Sequence, residues 1–342
     1  MLWNLSMYRK EPKDQSQDEL KINIIKNNNS LKIKYKNYFH LTESKIYLSH
    51  KNFICTNLIQ NNITSYLYIS LKDNTSGEGI IFDQDNNIYI KAHSQTISKL
   101  IIDYNHNYLI SSSYDKYIKI WKISKMSTTN NCICQLKGHK GRIYDMDLIQ
   151  NKNKLLSCGM DKNILIWDLE KCILIQNITL SFSFHNLIIK YLSLNENKNI
   201  ENKNELISIY SNNSLIIIID INENKVIDKI NISNKEGPIL FINNQECLYQ
   251  NKKELNIIIY NFINKKIVGE LNGCKNCILL LYKIDKINKI ISFDNENNIR
   301  VWNYIKKFCE LTIKIDFVLY CLYVNNEGNL FCGSLNKTLI YK

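Results

Sequence analysis

The chain is 342 residues long, 45% hydrophobic and 22% charged, which is enough apolar content to bury a core and too much for a wholly disordered polymer. Its 44 basic and 32 acidic residues leave +12, yet 41 of the basic ones are Lys beside only Arg9, Arg142 and Arg300. Bidentate reading of phosphate or guanine favours Arg, so the excess describes a diffusely solvated basic surface, and nucleic acid is a possible but not the favoured partner.

With 10 Gly and 2 Pro the chain is neither collagen-like nor a linker, and 58 Ile and 21 Tyr against a single Ala, Ala92, favour strands over helices. Residues 1–30 read as an N-terminal extension. The opening MLWNLSMYRK lacks a basic stretch followed by a long apolar one, so no cleaved signal is expected. Leu2, Trp3, Leu5, Met7 and Tyr8 are expected to dock on the rest of the chain, and residues 9–20 to be solvated. No window of about 18 uncharged apolar residues occurs, so no membrane insertion is expected. Eleven scattered cysteines, an odd number, read as reduced thiols and place the protein in the cytoplasm or nucleus.

Self-comparison is the most informative operation. Residues 93–121, ending SSSYDKYIKIW, align without gaps on residues 139–167, which run from HKGRIYDMDL to LSCGMDKNILIW. In each, His precedes Trp by 28 residues, Asp precedes Trp by 6, and Ser lies 4 before the Asp. The same ruler places His40 before Tyr68 with Asn62 at the Asp position, and Cys274 before Trp302 with Ser292 and Glu296 in register. His185 reaches Ile219 once an insertion in residues 195–204 is allowed, and further units end at Tyr260 and Lys342. That makes seven units covering residues 31–342.

Within a unit, short β-rich runs alternate with Asn, Asp, Lys, Ser and Gly clusters. The third unit predicts strands over 142–149, 154–158, 164–168 and 173–178, with a tight turn at 160–163. Four antiparallel strands per unit of about 40 to 45 residues describe a propeller blade. Residues 73–87 and 124–131 read as inserted loops. The segment LKIKYKNYFH, residues 31–40, is expected to supply the outer strand of the last blade and so close the ring.

GHKGRIYDMDL with LSCGMDKNILIWD resembles a WD40 repeat, and SSSYDKYIKIW is similar to it with Lys122 in place of the final Asp. The resemblance implies an all-β, seven-bladed WD40-type propeller. It also implies structural hydrogen-bonded tetrads His93, Ser111, Asp115, Trp121 and His139, Ser157, Asp161, Trp167. Blades ending at Ile219, Tyr260 and Lys342 lack most of the set and are expected to be more mobile. Family partners contact positions just after the His and before the Asp, which here are Thr96, Ser98, Tyr114, Arg142, Tyr144 and Met160. In poorer blades they are Glu43, Lys45, Asn61, Lys190 and Asn212.

His40, His93, His139 and His185 are read as structural rather than as general bases, and His50 and His106 as loop residues. Cys274 and Cys277 form the one CxxC, with no second pair to complete a zinc site, so no metal, cofactor or catalytic residue is expected. No GxxxxGK[ST], GxGxxG, HExxH or GxSxG occurs. The expected function is a non-catalytic scaffold or subunit of a multiprotein assembly. The alternatives are a ribonucleoprotein or chromatin subunit and a substrate receptor of a ubiquitin ligase.

Overall fold

The computed structural model describes residues 44–61, 66–84, 86–123, 132–149, 152–180, 187–193, 205–211, 215–232, 237–284, 287–325 and 328–341. The expected closing segment 31–40, the extension 1–30, the insertion 195–204, the loop 124–131 and His40, Glu43, Asn62, His185, Asn212 and Lys342 lie outside them. No α-helix occurs among the described residues, and no helix there is long and apolar enough to cross a membrane, which says nothing of strands.

Among the described residues, twenty-six strands follow one another in chain order. The first four are β1 (Ser44–Gln60), β2 (Leu67–Asp73), β3 (Gly79–Asp83) and β4 (Ile88–His93). Five four-stranded blades come next, each with its strands in sequence order from one edge to the other. They comprise β5 (Ile97–Asp103), β6 (Tyr108–Ser113), β7 (Tyr117–Lys122) and β8 (Cys132–Lys137), then β9 (Ile143–Ile149), β10 (Lys154–Gly159), β11 (Asn163–Asp168) and β12 (Ile173–Thr179). The third is β13 (Leu187–Ser193), β14 (Glu205–Ser211), β15 (Leu215–Asp220) and β16 (Lys225–Asn231), and the fourth β17 (Ile239–Phe241), β18 (Glu246–Gln250), β19 (Ile257–Asn261) and β20 (Lys266–Leu271). The fifth is β21 (Ile278–Ile284), β22 (Lys289–Asp294), β23 (Asn298–Asn303) and β24 (Phe308–Lys314), after which β25 (Leu319–Val324) and β26 (Leu330–Tyr341) end the chain.

Among the described residues the structure shows five four-stranded blades and not seven. The remaining six strands form one sheet in the order β25-β26-β1-β2-β3-β4. The two ends of the chain merge there because β1 and β26 are long: residues 53–60 of β1 pair with β2, while residues 44–49 pair antiparallel with 337–341 of β26. The observed partner of the C-terminal strand is therefore 44–49.

The ruler anchored at His40 is also out of register. Tyr68, taken as the counterpart of Trp121, lies in the second strand of its group, and residues 73–87, read as a loop, contain β3. The segment GIIFD puts Phe82 where NILIWD has Trp167, and Phe82 is buried. His50, assigned to a loop, lies in β1.

Middle strands such as β11 and β15 are packed on both faces against neighbouring blades, which is why NILIW and LIIIID read as unbroken apolar runs. Apolar clusters join successive blades. Ile166 and Leu156 pack with Ile209 and Ile219, and Ile216 and Tyr210 with Phe241 and Phe262. Another cluster joins Cys55, Ile69 and Phe82 to Cys321 and Phe331, inside the six-stranded sheet.

Candidate protein-binding face

In the blade β5–β8 the Trp121 Nε1–H donates to Ser111 Oγ at 2.9 Å, and Ser111 Oγ lies 2.8 Å from His93 Nε2. The hydroxyl accepts from the indole and so has its own proton for Nε2, which leaves His93 Nδ1–H to donate to Asp115 Oδ2 at 2.9 Å. Burial lowers the pKa of His93, against the pull of Asp115. Burial pushes the Asp115 carboxyl up, but bonds from His93 and from the amides of Tyr117 and Ser94 outweigh it and hold it below the usual carboxylate range.

The blade β9–β12 repeats the chain: Trp167 Nε1 to Ser157 Oγ at 2.8 Å, Ser157 to His139 Nε2 at 2.8 Å, and His139 Nδ1 to Asp161 Oδ2 at 3.0 Å. Burial disfavours the Asp161 charge, yet His139 and the amides of Lys140 and Asn163 bring its pKa down to about 2. Each Asp also shapes the turn it stands in. Asp115 and Asp161 accept the N–H two residues on, and Lys116 and Lys162 then take positive φ of 79° and 66°.

Blade β21–β24 keeps half of this arrangement. Trp302 donates to Ser292 at 2.8 Å, and the buried Cys274 occupies the imidazole's place with its thiol pushed up to about 11 by burial. Glu296, expected at the Asp position, is exposed. Asp294, two residues earlier, is buried and holds Arg300, Asn298 and Asn276 instead, because an unpaired carboxylate there would be costly. Cys277 is exposed, and among the described residues no three His, Cys, Asp or Glu side chains converge on a metal position.

Antiparallel connection puts the turns after the His and before the Asp at one end of every blade. They are stitched there by Tyr114 N–H to Thr96 O at 3.0 Å, Met160 N–H to Arg142 O at 2.7 Å and Asn295 N–H to Cys277 O at 3.0 Å. Arg142 is exposed, stacks its guanidinium 5.4 Å from the Tyr114 ring centre, and makes no ion pair among the described residues. Tyr144 meets Tyr114 edge-on at 6.3 Å, and Met160 is half exposed. A β-bulge after Ile143 leaves Tyr144 outside the ladder, and the same bulge frees Ser98 after Ile97.

Not every expected contact position reaches the surface. Thr96 and Ser98 are buried, and Ser98 Oγ is spent on Ser112 Oγ at 2.9 Å; Asn61 is buried as well. Lys190 is accessible but paired with Asp147 at 3.2 Å, while the side chain of Lys45 lies outside the described residues. The sequence reading missed the residues that join adjacent blades. Asp145 accepts Lys99 Nζ at 2.7 Å and the Ile189 amide at 3.1 Å, and Asp147 accepts the Tyr191 amide at 2.9 Å. Lys99 is raised, since these two carboxylates outweigh its burial. Alternating acids within an inner strand, as in IYDMDLI, were the available signal.

The family model "WD domain, G-beta repeat" matches residues 85–122 and 130–168. No curated protein matches the chain. The crystal structure of the WD40 beta propeller domain of Doa1 superposes with a TM-score of 0.66 at 13% identity, covering 88% of this chain and 97% of that one, a likeness of fold. Residues 85–122 and 130–168 thus match the WD repeat, and the chain that carries them folds as an all-β propeller like those of WD40 proteins.

Proposed function

We propose that this chain is a non-catalytic scaffold, a subunit that holds other proteins in a larger assembly through the face built by Tyr114, Arg142, Tyr144 and Met160. The observation that carries the reading is Arg142: an exposed guanidinium, oriented by Tyr114 and paired with no carboxylate among the described residues. Arg and Tyr join large contact area to directional donors, and such residues concentrate binding energy in interfaces. The imidazoles nearby are engaged in holding strands together, which supports rigidity over catalysis. We further infer that the six-stranded sheet serves as two blades of a seven-fold ring, because an apolar cluster separates its halves. Eleven free thiols fit a reducing compartment, cytoplasm or nucleus. The pairing of Lys99 with Asp145 and Lys190 with Asp147 argues against nucleic acid as the ligand.

Affinity capture from the native cell, with the wild type and an Arg142→Ala/Tyr144→Ala double variant, tests this. Stoichiometric companions are expected on the wild type and lost from the variant, each truncation costing about 2 kcal/mol of binding. An unchanged set of companions dismisses the face.

A further inference from the structure

The exposed large aliphatic side chains are concentrated at one place in the fold. Ile173 in β12 is 51% exposed and Leu174 and Ile175 stand open beside it; Ile227 in β16 is 52% exposed, next to Val226. In β20, Ile267 is 57% exposed and Val268 accompanies it, and Phe308 opens β24 in the same way. All begin the fourth strand of four consecutive blades. There is a local cause: Ile175, Ile227 and Val268 are each the extra residue of a β-bulge opposite Trp167, Ile219 and Tyr260. A bulge breaks the strict alternation of the strand, so two successive apolar side chains are left in solvent.

The turns leading into these strands carry exposed lysines. Lys171, Lys225, Lys265, Lys266, Lys306 and Lys307 stand there against Asp168, Glu170, Asp220, Glu223 and the nearby Asp228, six positive charges to five negative, and Asp168 and Asp220 are spent on the amides of their own turns. Lys265 is paired with Asp228 and Lys307 donates to the Val268 carbonyl, while the other four lysines are exposed and form no ion pair among the described residues. These turns bond to the turns between first and second strands, as in Leu169 N–H to Asn153 O at 2.9 Å and Phe262 N–H to Gln245 O at 2.9 Å. They therefore line the end of the blades opposite Arg142.

We propose that this rim docks the protein on the surface of an anionic lipid bilayer. Contiguous exposed aliphatics mark an interaction surface. Protein interfaces are enriched in aromatic residues and Arg and depleted in Lys, whereas here Phe308 stands among aliphatics and lysines with no Arg beside it. A second copy of the chain would bring like charges together. Aliphatic side chains flanked by lysines match an interface of acyl chains below anionic headgroups, because the lysine stems lie along apolar surface while their ammonium groups reach the headgroups.

Co-sedimentation of the full chain with vesicles tests it. The wild type is expected to pellet with mixed phosphatidylcholine and phosphatidylserine vesicles, to be released by salt, and to stay in solution with phosphatidylcholine alone. Lys225→Gln with Lys266→Gln lowers partitioning roughly twenty-five-fold. Ile173→Ser, Ile227→Ser and Ile267→Ser together lower it at least about tenfold, with the melting temperature kept. The Arg142→Ala/Tyr144→Ala variant pellets like the wild type, which separates this surface from the protein-binding face. A wild type that ignores anionic vesicles, or rim variants that bind as well as it does, overturns the proposal. So does a wild-type dimer that the Ile variants turn into monomers without any vesicle binding, since the rim then joins copies of the chain.

Discussion

Blades β9–β12 and β13–β16 are neighbours, pack on one another through a shared apolar cluster and have the same strand order, yet they solve the same interior position with opposite chemistry. In the first, Ser157 pairs with Leu165 and Trp167 with Leu155 across the central ladder; in the second, Ile209 and Ile219 hold those places. One position is filled by a hydrogen-bonded hydroxyl and indole, the other by two buried aliphatics. The blade requires a filled, desolvated slot between its faces, and a polar group there is tolerated only when every donor finds an acceptor. What the polar version adds is a bond from the slot to the turn at Asp161, which ties the middle of the blade to its binding end.

The largest test of this contrast empties the slot. Trp167→Ala is expected to cost about 4 kcal/mol in chemical denaturation and Ile219→Ala about 3 kcal/mol, both through cavities. A Trp167 loss below that of Ile219 would break the equivalence. The next test uses pH. The Asp161 carboxyl sits at about 2 against its ordinary 3.8, so the folded state gains stability above 3.8 and loses it as pH falls toward 2. The gain is on the order of 2 kcal/mol. Asp161→Asn is expected to flatten that part of the acid limb, while Ile209→Val and Ile219→Val, which touch no carboxylate of the slot, leave it unchanged.

A smaller and sharper probe is Trp167→Phe, which keeps an aromatic ring but removes the donor to Ser157, at a cost of about 1.5 kcal/mol. Ile219→Val costs about 1 kcal/mol by volume alone. Measured at two pH values on either side of 3.8, only the first should shift in its pH dependence. The smallest expected effect is in β21–β24: Glu296→Ala changes stability by less than about 0.5 kcal/mol, because the residue is exposed. A loss of several kcal/mol there would return Glu296 to the Asp role that Asp294 fills.

Legibility in the sequence followed the strength of local signals. In the third unit the strands read at 142–149, 154–158, 164–168 and 173–178 agree with Ile143–Ile149, Lys154–Gly159, Asn163–Asp168 and Ile173–Thr179 to within a residue at each end. Apolar runs and Asp-bearing turns are encoded in adjacent residues, so they can be seen without the fold. The residues His93, Ser111, Asp115 and Trp121 recur at fixed offsets for the same reason. Phe82 was missed because GIIFD is short, lies behind a Gly-rich turn and has no Ser, Asp or His in register to mark it. Asp294 was missed because its partner, Arg300, stands on the next strand and not at a repeat position.

The amino-acid sequence by itself determined the class of structure: short strands of buried Ile and Leu, turns set by Asp, and His-to-Trp spacings that mark repeated units. The tertiary structure decided how those units meet. Whether β1 and β26 end as separate blades or run into one sheet depends on pairing between residues nearly three hundred positions apart. Which side chains are left on a surface depends on bulges whose register the partner strand imposes. Both are matters of long-range geometry, and the energies that select them, ladder bonds and apolar burial, come into being only when distant strands are already side by side.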